Sequence, residues 1–526
     1  MPIRMTDDDK EPEEESKSEG SSFFLIAIFA FLGGLIFKYP KVMIPILLLG
    51  LLGLICIGSF SDDSETEDDN STESASVGPH KLGAKFDTER YDRAPVYEPL
   101  SNEYGEGLPS EVSLLKYAPK RQNQGDQGSC TGWAVSYAAR TILHAKATGE
   151  DPNKVSFSPA YLFNQNTDKD CDGAYPVDLL DDLKKQGNLQ FSEFPYNESS
   201  CRSKPTKEQK EKAKEFRIEG YQRLTEDGEK YDTDIESIKQ YISQGSPVVI
   251  SMEVGGSFLD LNKAVWFPTS EDYKAVKRYI KGKDSSEEWG GHAMTAIGYD
   301  DNKEGGAIQI MNSWGERFGQ KGIFWLRYED FNQFVREAYA LYPPRTFAPN
   351  ESFSYQLGLV DNATKDFIPL KQVKDNIYQT KQPIKMGTRF KVSVKNEKPI
   401  YLYIFGQETD GSSYVLFPYT DKHSPYCGTS GVRVFPKKQS LEVDNLGKKD
   451  SIVIIFAKQQ LDYKSINAAV NKSKSPSFLE KFQSATKTKL SKSAQFGGDG
   501  ETIDLVSTDH DPNSLDLILI EFDKEK

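Results

Sequence analysis

The chain is 526 residues long with a formal net charge of −14, and two short stretches carry almost all of it. Residues 1–20 hold eight acids against three bases and residues 61–77 hold seven acids and no base, together −12 of the −14. The remainder is close to neutral, so no strongly basic face is left for nucleic acid, and the length allows about three or four domains.

Both acidic stretches read as self-repelling, disordered segments. Between them lie two uncharged apolar runs, Ser22–Phe37 and Val42–Phe60, separated by Lys38-Tyr39-Pro40-Lys41. As helices they reach about 24 and 28 Å, close to the ~30 Å hydrocarbon core of a bilayer. A cleaved signal peptide fits poorly, because acids precede the first run and a second run follows at once. A re-entrant or buried hairpin is the alternative. The expectation is a two-pass membrane hairpin over 22–60, with the lipid bilayer as partner and both chain ends on one side. Lys and Arg are nearly balanced between loop and tail, so the side is undecided, with a lean to the extracytoplasmic one.

Residues 1–21 are thus expected to be an acidic tail and 61–107 an acidic, flexible linker. The next stretch with chemical content is Asn123-Gln124-Gly125-Asp126-Gln127-Gly128-Ser129-Cys130-Thr131-Gly132-Trp133-Ala134. Trp133, Ala134, Tyr137, Ala138, Ile142 and Ala145 recur near helical spacing, which predicts a buried helix from Cys130 to about Lys146. A thiol at a helix N-terminus is favoured as thiolate, the nucleophilic form. Taken alone, Cys130 fits a small buried hydrophobe better, as most free cysteines are.

A Ser-Pro helix start follows at Ser158-Pro159. Asp168, Asp170, Asp172 and Gly173 match the opening of a calcium loop, but its twelfth position is Leu179 rather than a bidentate Glu, so no metal site is expected. Further on, 235–243 reads as helix and 247–254 as buried strand. A long excursion, 255–291, then either restricts a cleft or is plain surface, and the sequence leaves both open. His292 heads the strand-like Gly290–Tyr299, and Asn312-Ser313-Trp314-Gly315 follows the strand-like Ala307–Met311. A Cys, a distant His and then an Asn is the order of a thiolate nucleophile, its base and the group that orients the base.

Here the sequence resembles the papain-like cysteine protease family, which carries a Gln six residues before its nucleophile, a His at a strand start and an Asn-Ser-Trp-Gly. The resemblance implies an α+β, two-lobed domain over 108–346, one lobe helical and the other β-barrel-like, acting on peptide or protein substrates without a cofactor. It implies Cys130 as nucleophile, His292 as its partner base, Asn312 as orienter and Gln124 as oxyanion donor. Trp314 would cover the Asn312–His292 bond and stand beside the substrate. Cys171-Asp172-Gly173-Ala174-Tyr175-Pro176 resembles the family's Cys-x-Gly-Gly stretch, so Gly173, Ala174 and Tyr175 would line the side of the cleft that takes residues before the scissile bond. The family's bridge from that cysteine to one upstream of the nucleophile cannot form, because Gln127 stands there. Cys171 and Cys201 could pair instead, but their count does not decide it. Residues 61–107 are too short, and too poor in helical periodicity, for the helical inhibitory prosegment of many members, so latency of that kind is not expected. A silent papain-fold scaffold, an exopeptidase and a transpeptidase remain alternatives to an endopeptidase.

From 347 to 526 the composition shifts to short alternating runs such as Ile400–Phe405 and Ile452–Phe456, broken by turn residues, which predict a β-sandwich. These runs and the Phe-Pro pairs resemble a β-domain of unknown function appended to bacterial proteases and kinases. The Lys/Ser/Thr-rich 471–492 reads as a solvated loop. No nucleophile–base set occurs there, so a binding or positioning role for an unknown ligand or protein is expected.

Overall fold

Small residues and caps set the helical lobe. In the computed structural model, Cys130–Gly132, Trp133–Arg140 and Thr141–Thr148 run head to tail as one buried rod, its middle wound wider than an α-helix. Gly132 has to be small, because a Cβ there would lie 2.4 Å from the Pro159 carbonyl oxygen. That close approach seats helix Pro159–Asn166, whose N-cap Ser158 accepts the Tyr161 N–H at 3.1 Å. Helix Pro176–Gln186 completes the lobe, burying Val177, Leu179, Leu180 and Leu183.

The structure describes residues 3–7, 81–105, 107–225, 233–282, 289–343, 352–487, 490–491, 493–509 and 511–526. The expected tail beyond Asp7, the membrane hairpin 22–60 and the linker up to residue 80 lie outside the described residues. Among those described, no helix is long and apolar enough to cross a membrane.

The second lobe is a sheet with strand order Gly220–Arg223, Val335–Tyr342, Val248–Val254, Gly290–Asp300, Ala307–Met311, Ile323–Arg327 and Val265–Trp266, with Glu111–Ser113 added beside Gly290–Asp300. Strand alternation sorts its faces. Val248, Ile250, Met252 and Val254 enter an outer core, while Val249 packs with Cys130, Ala134 and Ala293 between the lobes. The described part of the excursion backs the outer core: Phe258, Trp266 and Val276 pack there with Phe331 and Phe334. Its helix, Ser270–Ile280, starts at a Thr269–Asp272 capping box and is not what fills the cleft.

The C-terminal part forms two sheets around a shared apolar core that includes Leu357, Val392, Leu402, Ile454 and Ile518. The expected solvated loop is partly helical. Tyr463–Lys472 and Phe478–Ala485 lay Ile466, Val470, Phe478 and Phe482 against Phe405 and Leu517 on the outer face of one sheet. The other sheet gains Ile3–Asp7, antiparallel to Gln439–Val443 and in register from Ile3↔Val443 to Asp7↔Gln439.

From residue 81 on, the expected flexible linker is an ordered, packed segment, because Ala84, Tyr91, Ala94, Val96 and Tyr97 are apolar and buried. Its later part threads between the two folded parts. The Val96 N–H donates to the Lys422 carbonyl (2.8 Å), the Ser101 N–H to the Val432 carbonyl (2.7 Å), and Arg433 Nε to the Glu98 carbonyl (3.0 Å).

Candidate active site

Helix and strand ends converge on Cys130, which is fully buried at the start of its helix. His292 lies two residues into Gly290–Asp300, and Asn312 directly follows Ala307–Met311. His292 Nε2 and Asn312 Oδ1 are 2.8 Å apart. The Ser313 N–H also donates to that oxygen (2.7 Å), which fixes it as the amide oxygen. An amide oxygen only accepts, so the ring proton sits on Nε2 and Nδ1 is left as the basic nitrogen. The Trp314 ring lies 4.4 Å from the imidazole, tilted by 32°. Gln124 is held at three points. Its Oε1 accepts from Ser313 Oγ (2.7 Å), its own carbonyl accepts from Tyr196 (2.7 Å), and Nε2 donates at 2.8 Å to the carbonyls of Lys81 and Gln127.

The Lys81 carbonyl belongs to a strap, residues 81–86, that fills the cleft. The N–H groups of Gly83 and Ala84 donate to the Gly291 carbonyl at 3.0 and 2.9 Å. Ala174 donates to the Gly83 carbonyl and accepts from the Lys85 N–H, each at 3.0 Å, which makes a parallel bridge between Ala84 and Ala174. The backbones touch. A Cβ on Gly83 would lie 2.0 Å from the Gly128 oxygen, and one on Gly173, whose φ is +100°, would lie 2.4 Å from the Gly83 oxygen. Lys81 reaches Asp172 at 3.1 Å and Lys85 reaches Asp168 at 3.5 Å.

Burial under this strap governs the thiol. It pushes the Cys130 pKa up to about 11, although hydrogen bonding from the backbone of Ala293, Gly83 and Thr131 draws it down. The sequence led us to expect a thiolate from the helix terminus. In the closed cleft, burial opposes that dipole and favours the neutral thiol over the thiolate.

Residues 115–343 match the sequence model of the papain family cysteine proteases, and residues 384–460 match a domain of unknown function, DUF4384. Residues 115–343 are a papain-family cysteine protease domain. Over 228 residues the chain is 28% identical to an uncharacterized peptidase C1-like protein of Acanthamoeba polyphaga mimivirus, covering 42% of this chain and 68% of that protein. It is 25% identical over 239 residues to cathepsin K of Mus musculus, covering 44% and 63%. Among solved structures, xylellain, a cysteine protease from Xylella fastidiosa, is 22% identical with a TM-score of 0.40, covering 51% of this chain and 97% of that one. The chain therefore spans about two-thirds of the length of these curated relatives.

Within the papain-family domain, Gln124, His292 and Asn312 join one network that Ser313 links, and Cys130 lies buried beside Ala293, the residue after His292. Gly173 and Ala174 line the strap through their backbones. Trp314, expected also to stand beside substrate, is buried instead among Phe258, Phe318 and His292, because its large ring completes the outer core. Tyr175 caps the start of helix Pro176–Gln186 and lies under the Arg90 guanidinium, 4.3 Å away, so it touches the linker rather than the bridged strap residue. Cys171 and Cys201 form a disulfide that ties down the base of this wall. Asp168 accepts the N–H groups of Asp170 and Asp172, a turn closed on itself, and no metal-binding group of three appears among the described residues. Sequence reasoning missed Ser313 and Tyr196 as positioning groups, although Ser313 stood inside the motif. It also missed the strap: the sequence reading considered only a helical prosegment, and an extended segment, residues 81–86, lies in the cleft.

Proposed function

We propose that this chain is a membrane-anchored cysteine endopeptidase whose resting form keeps residues 81–86 in its own cleft. The observation that carries it is Gln124 Nε2 donating to a peptide carbonyl, that of Lys81, in the strap whose Gly83 backbone reaches Cys130. The site already treats a main chain as a peptidase treats its substrate. The Gly173–Ala174 wall takes residues that precede the attacked carbonyl, whereas the strap places there residues that follow Lys81. It runs opposite to a substrate and presents no bond for cleavage.

With the strap displaced, His292 Nδ1 takes the thiol proton and the Cys130 sulfur adds to the substrate carbonyl carbon. Gln124 Nε2 and the Cys130 N–H hold the oxyanion. The C–N bond then breaks as the imidazolium gives its proton to the leaving amine. Water attacks the resulting thioester with His292 taking its proton, which releases the acid and restores the thiol. Asn312 keeps the ring oriented throughout.

The anchor is supported by two uncharged runs of near-bilayer length, and a two-pass hairpin is compatible with the pairing of Ile3–Asp7 with Gln439–Val443. That pairing requires an even number of crossings between residue 7 and the folded part. A disulfide suits an oxidising, extracytoplasmic side. Hydrolysis of a mixed peptide library by the full chain in detergent, with the strap displaced by Gly83→Val, tests the function. Internal cleavage that vanishes in Cys130→Ala and His292→Ala is expected. Cleavage surviving either change refutes the assigned chemistry.

A further inference from the structure

The loop that carries Gln124, residues 124–129, is held by a partner that the chemistry above does not use. A side-chain amide has two N–H donors. Gln124 Nε2 donates at 2.8 Å to the Lys81 carbonyl of the strap and at 2.8 Å to the Gln127 carbonyl. In the proposed reaction the oxyanion replaces the first acceptor, whereas the second belongs to the loop and stays. Ser313 Oγ holds the oxygen side of the same amide and the Gln127 carbonyl its nitrogen side. Together they fix its plane, so the remaining N–H points where the strap carbonyl now sits. The Gln127 carbonyl also accepts the Ser129 N–H at 2.8 Å, one residue before Cys130.

The aim of Gln124 therefore depends on what fixes that carbonyl, and the Gln127 side chain does so. Gln127 is 2% exposed. Its Nε2 donates to the carbonyls of Asn197 and Glu198 at 3.2 and 3.4 Å, while Oε1 is buried with no hydrogen-bond partner among the described residues. An orphaned buried acceptor carries a cost that an apolar side chain of the same size avoids. Packing alone does not account for an amide here; its donor contacts do. The same segment holds the loop a second time, through the Tyr196 hydroxyl on the Gln124 carbonyl. Beyond it Cys201 is bridged to Cys171, whose carbonyl accepts the Gly128 N–H at 3.2 Å. The disulfide thus joins the two segments that grip the loop, and Gln127 ties the loop to one of them.

We infer that Gln127 is a positioning residue for the oxyanion donor: its side chain pins its own carbonyl, and that carbonyl aims one N–H of Gln124 at the oxygen of the attacked peptide. The inference rests on the peptidase reading of the site and adds a residue to it. Gln127 touches neither the substrate nor a reacting atom. Without its two donor contacts the carbonyl turns, and the Gln124 amide falls out of line as charge develops on the oxygen. Substrate held through the backbones of Gly173 and Ala174 is not disturbed, so the loss falls on kcat rather than on KM.

Kinetics of the full chain in detergent, with the strap displaced by Gly83→Val, test this. Gln127→Met keeps the length of the side chain and removes its donors. It should lower kcat about tenfold and change KM by less than about twofold. Reaction of Cys130 with methyl methanethiosulfonate, which has no carbonyl to place in the oxyanion site, should stay within about twofold and so report an intact thiol and fold. Added to Gln124→Ala, Gln127→Met should cause no further loss, because it acts through that amide. An unchanged kcat, a loss that multiplies with that of Gln124→Ala, or a thiosulfonate rate that falls in step with kcat overturns the inference. A Gly83→Val chain that reacts normally with the thiosulfonate but cleaves no peptide refutes the peptidase reading, and this inference with it.

Discussion

At the residue scale, the site is a chain of oriented acceptors. Asn312 Oδ1 accepts from both His292 and Ser313, and Ser313 in turn holds the Gln124 amide, so the proposed base and oxyanion donor are set by adjacent residues of one motif. Gln124→Ala should lower kcat of the strap-displaced enzyme by roughly 10²–10³ with little change in KM. An unchanged kcat would assign the oxyanion to backbone donors alone. Ser313→Ala leaves the Gln124 amide oxygen without its partner and should reproduce part of that loss, which the same kinetics measure. These residues were legible because each sits in a short local pattern: a Cys opening a helix, a His heading a strand, an Asn just after one. Glu253 and Glu337, buried acids that register sets opposite Gly291 and Ser251, were not, because an acid in a buried strand announces nothing until cross-strand register brings it to a cleft.

At the element scale, the strap is the element proposed to set the state of the enzyme. Lys81-Leu82-Gly83-Ala84-Lys85-Phe86 has no period of 2 or 3.6 and binds through its backbone, so its side chains gave no sign of the role. Only paired glycines, Gly83 against Gly128 and Gly173, betray two main chains in contact. The closed state should weaken as pH rises. Burial first raises Glu253 to about 7 and Glu337 to about 8 from an ordinary 4.5; Arg336 opposes this at Glu253 and the Tyr339 hydrogen bond opposes it at Glu337, where Asp87 and Glu253 add to it. Tyr91, Tyr279 and Tyr339 also face the pair and stay protonated through this range. A carboxyl raised in the closed form and near 4.5 once exposed stabilises closure fully below pH 4.5, and that contribution is lost as pH climbs to about 8. Hydrogen exchange at Gly83 and Lys85, corrected for its intrinsic pH dependence, should therefore accelerate between pH 5 and 8 and flatten with glutamine at 253 and 337. Equal profiles for the two proteins would remove the carboxyls from the switch.

At the scale of the molecule, the C-terminal domain grips the segment that leaves the cleft. Asp92 is shared by Arg223 of the catalytic sheet and Lys422 of the β-domain. Arg433, 1% exposed, donates to the Glu98 carbonyl, Asn396 Oδ1 (2.7 Å) and both the carbonyl and hydroxyl of Thr429 (2.9 and 2.6 Å). Arg433→Ala strands these buried acceptors and should cost at least about 2 kcal/mol in urea unfolding; a loss under about 0.5 kcal/mol would mean the grip is loose. The two-lobed domain and the β-rich domain could be read from the sequence because strand and helix periods change near 347. The junction could not, since residues 92–101 are held by partners more than 100 positions away in both domains.

The most direct measurement is the rate at which a cysteine-directed epoxysuccinyl probe adds to Cys130 in the full chain, followed by intact mass. The closed cleft and neutral thiol predict slow labelling of the wild type, labelling at least about tenfold faster in Gly83→Val, and a return to slow labelling when His292→Ala is added. Wild type and Gly83→Val reacting equally fast, or a fast Gly83→Val reaction indifferent to His292, would contradict the account.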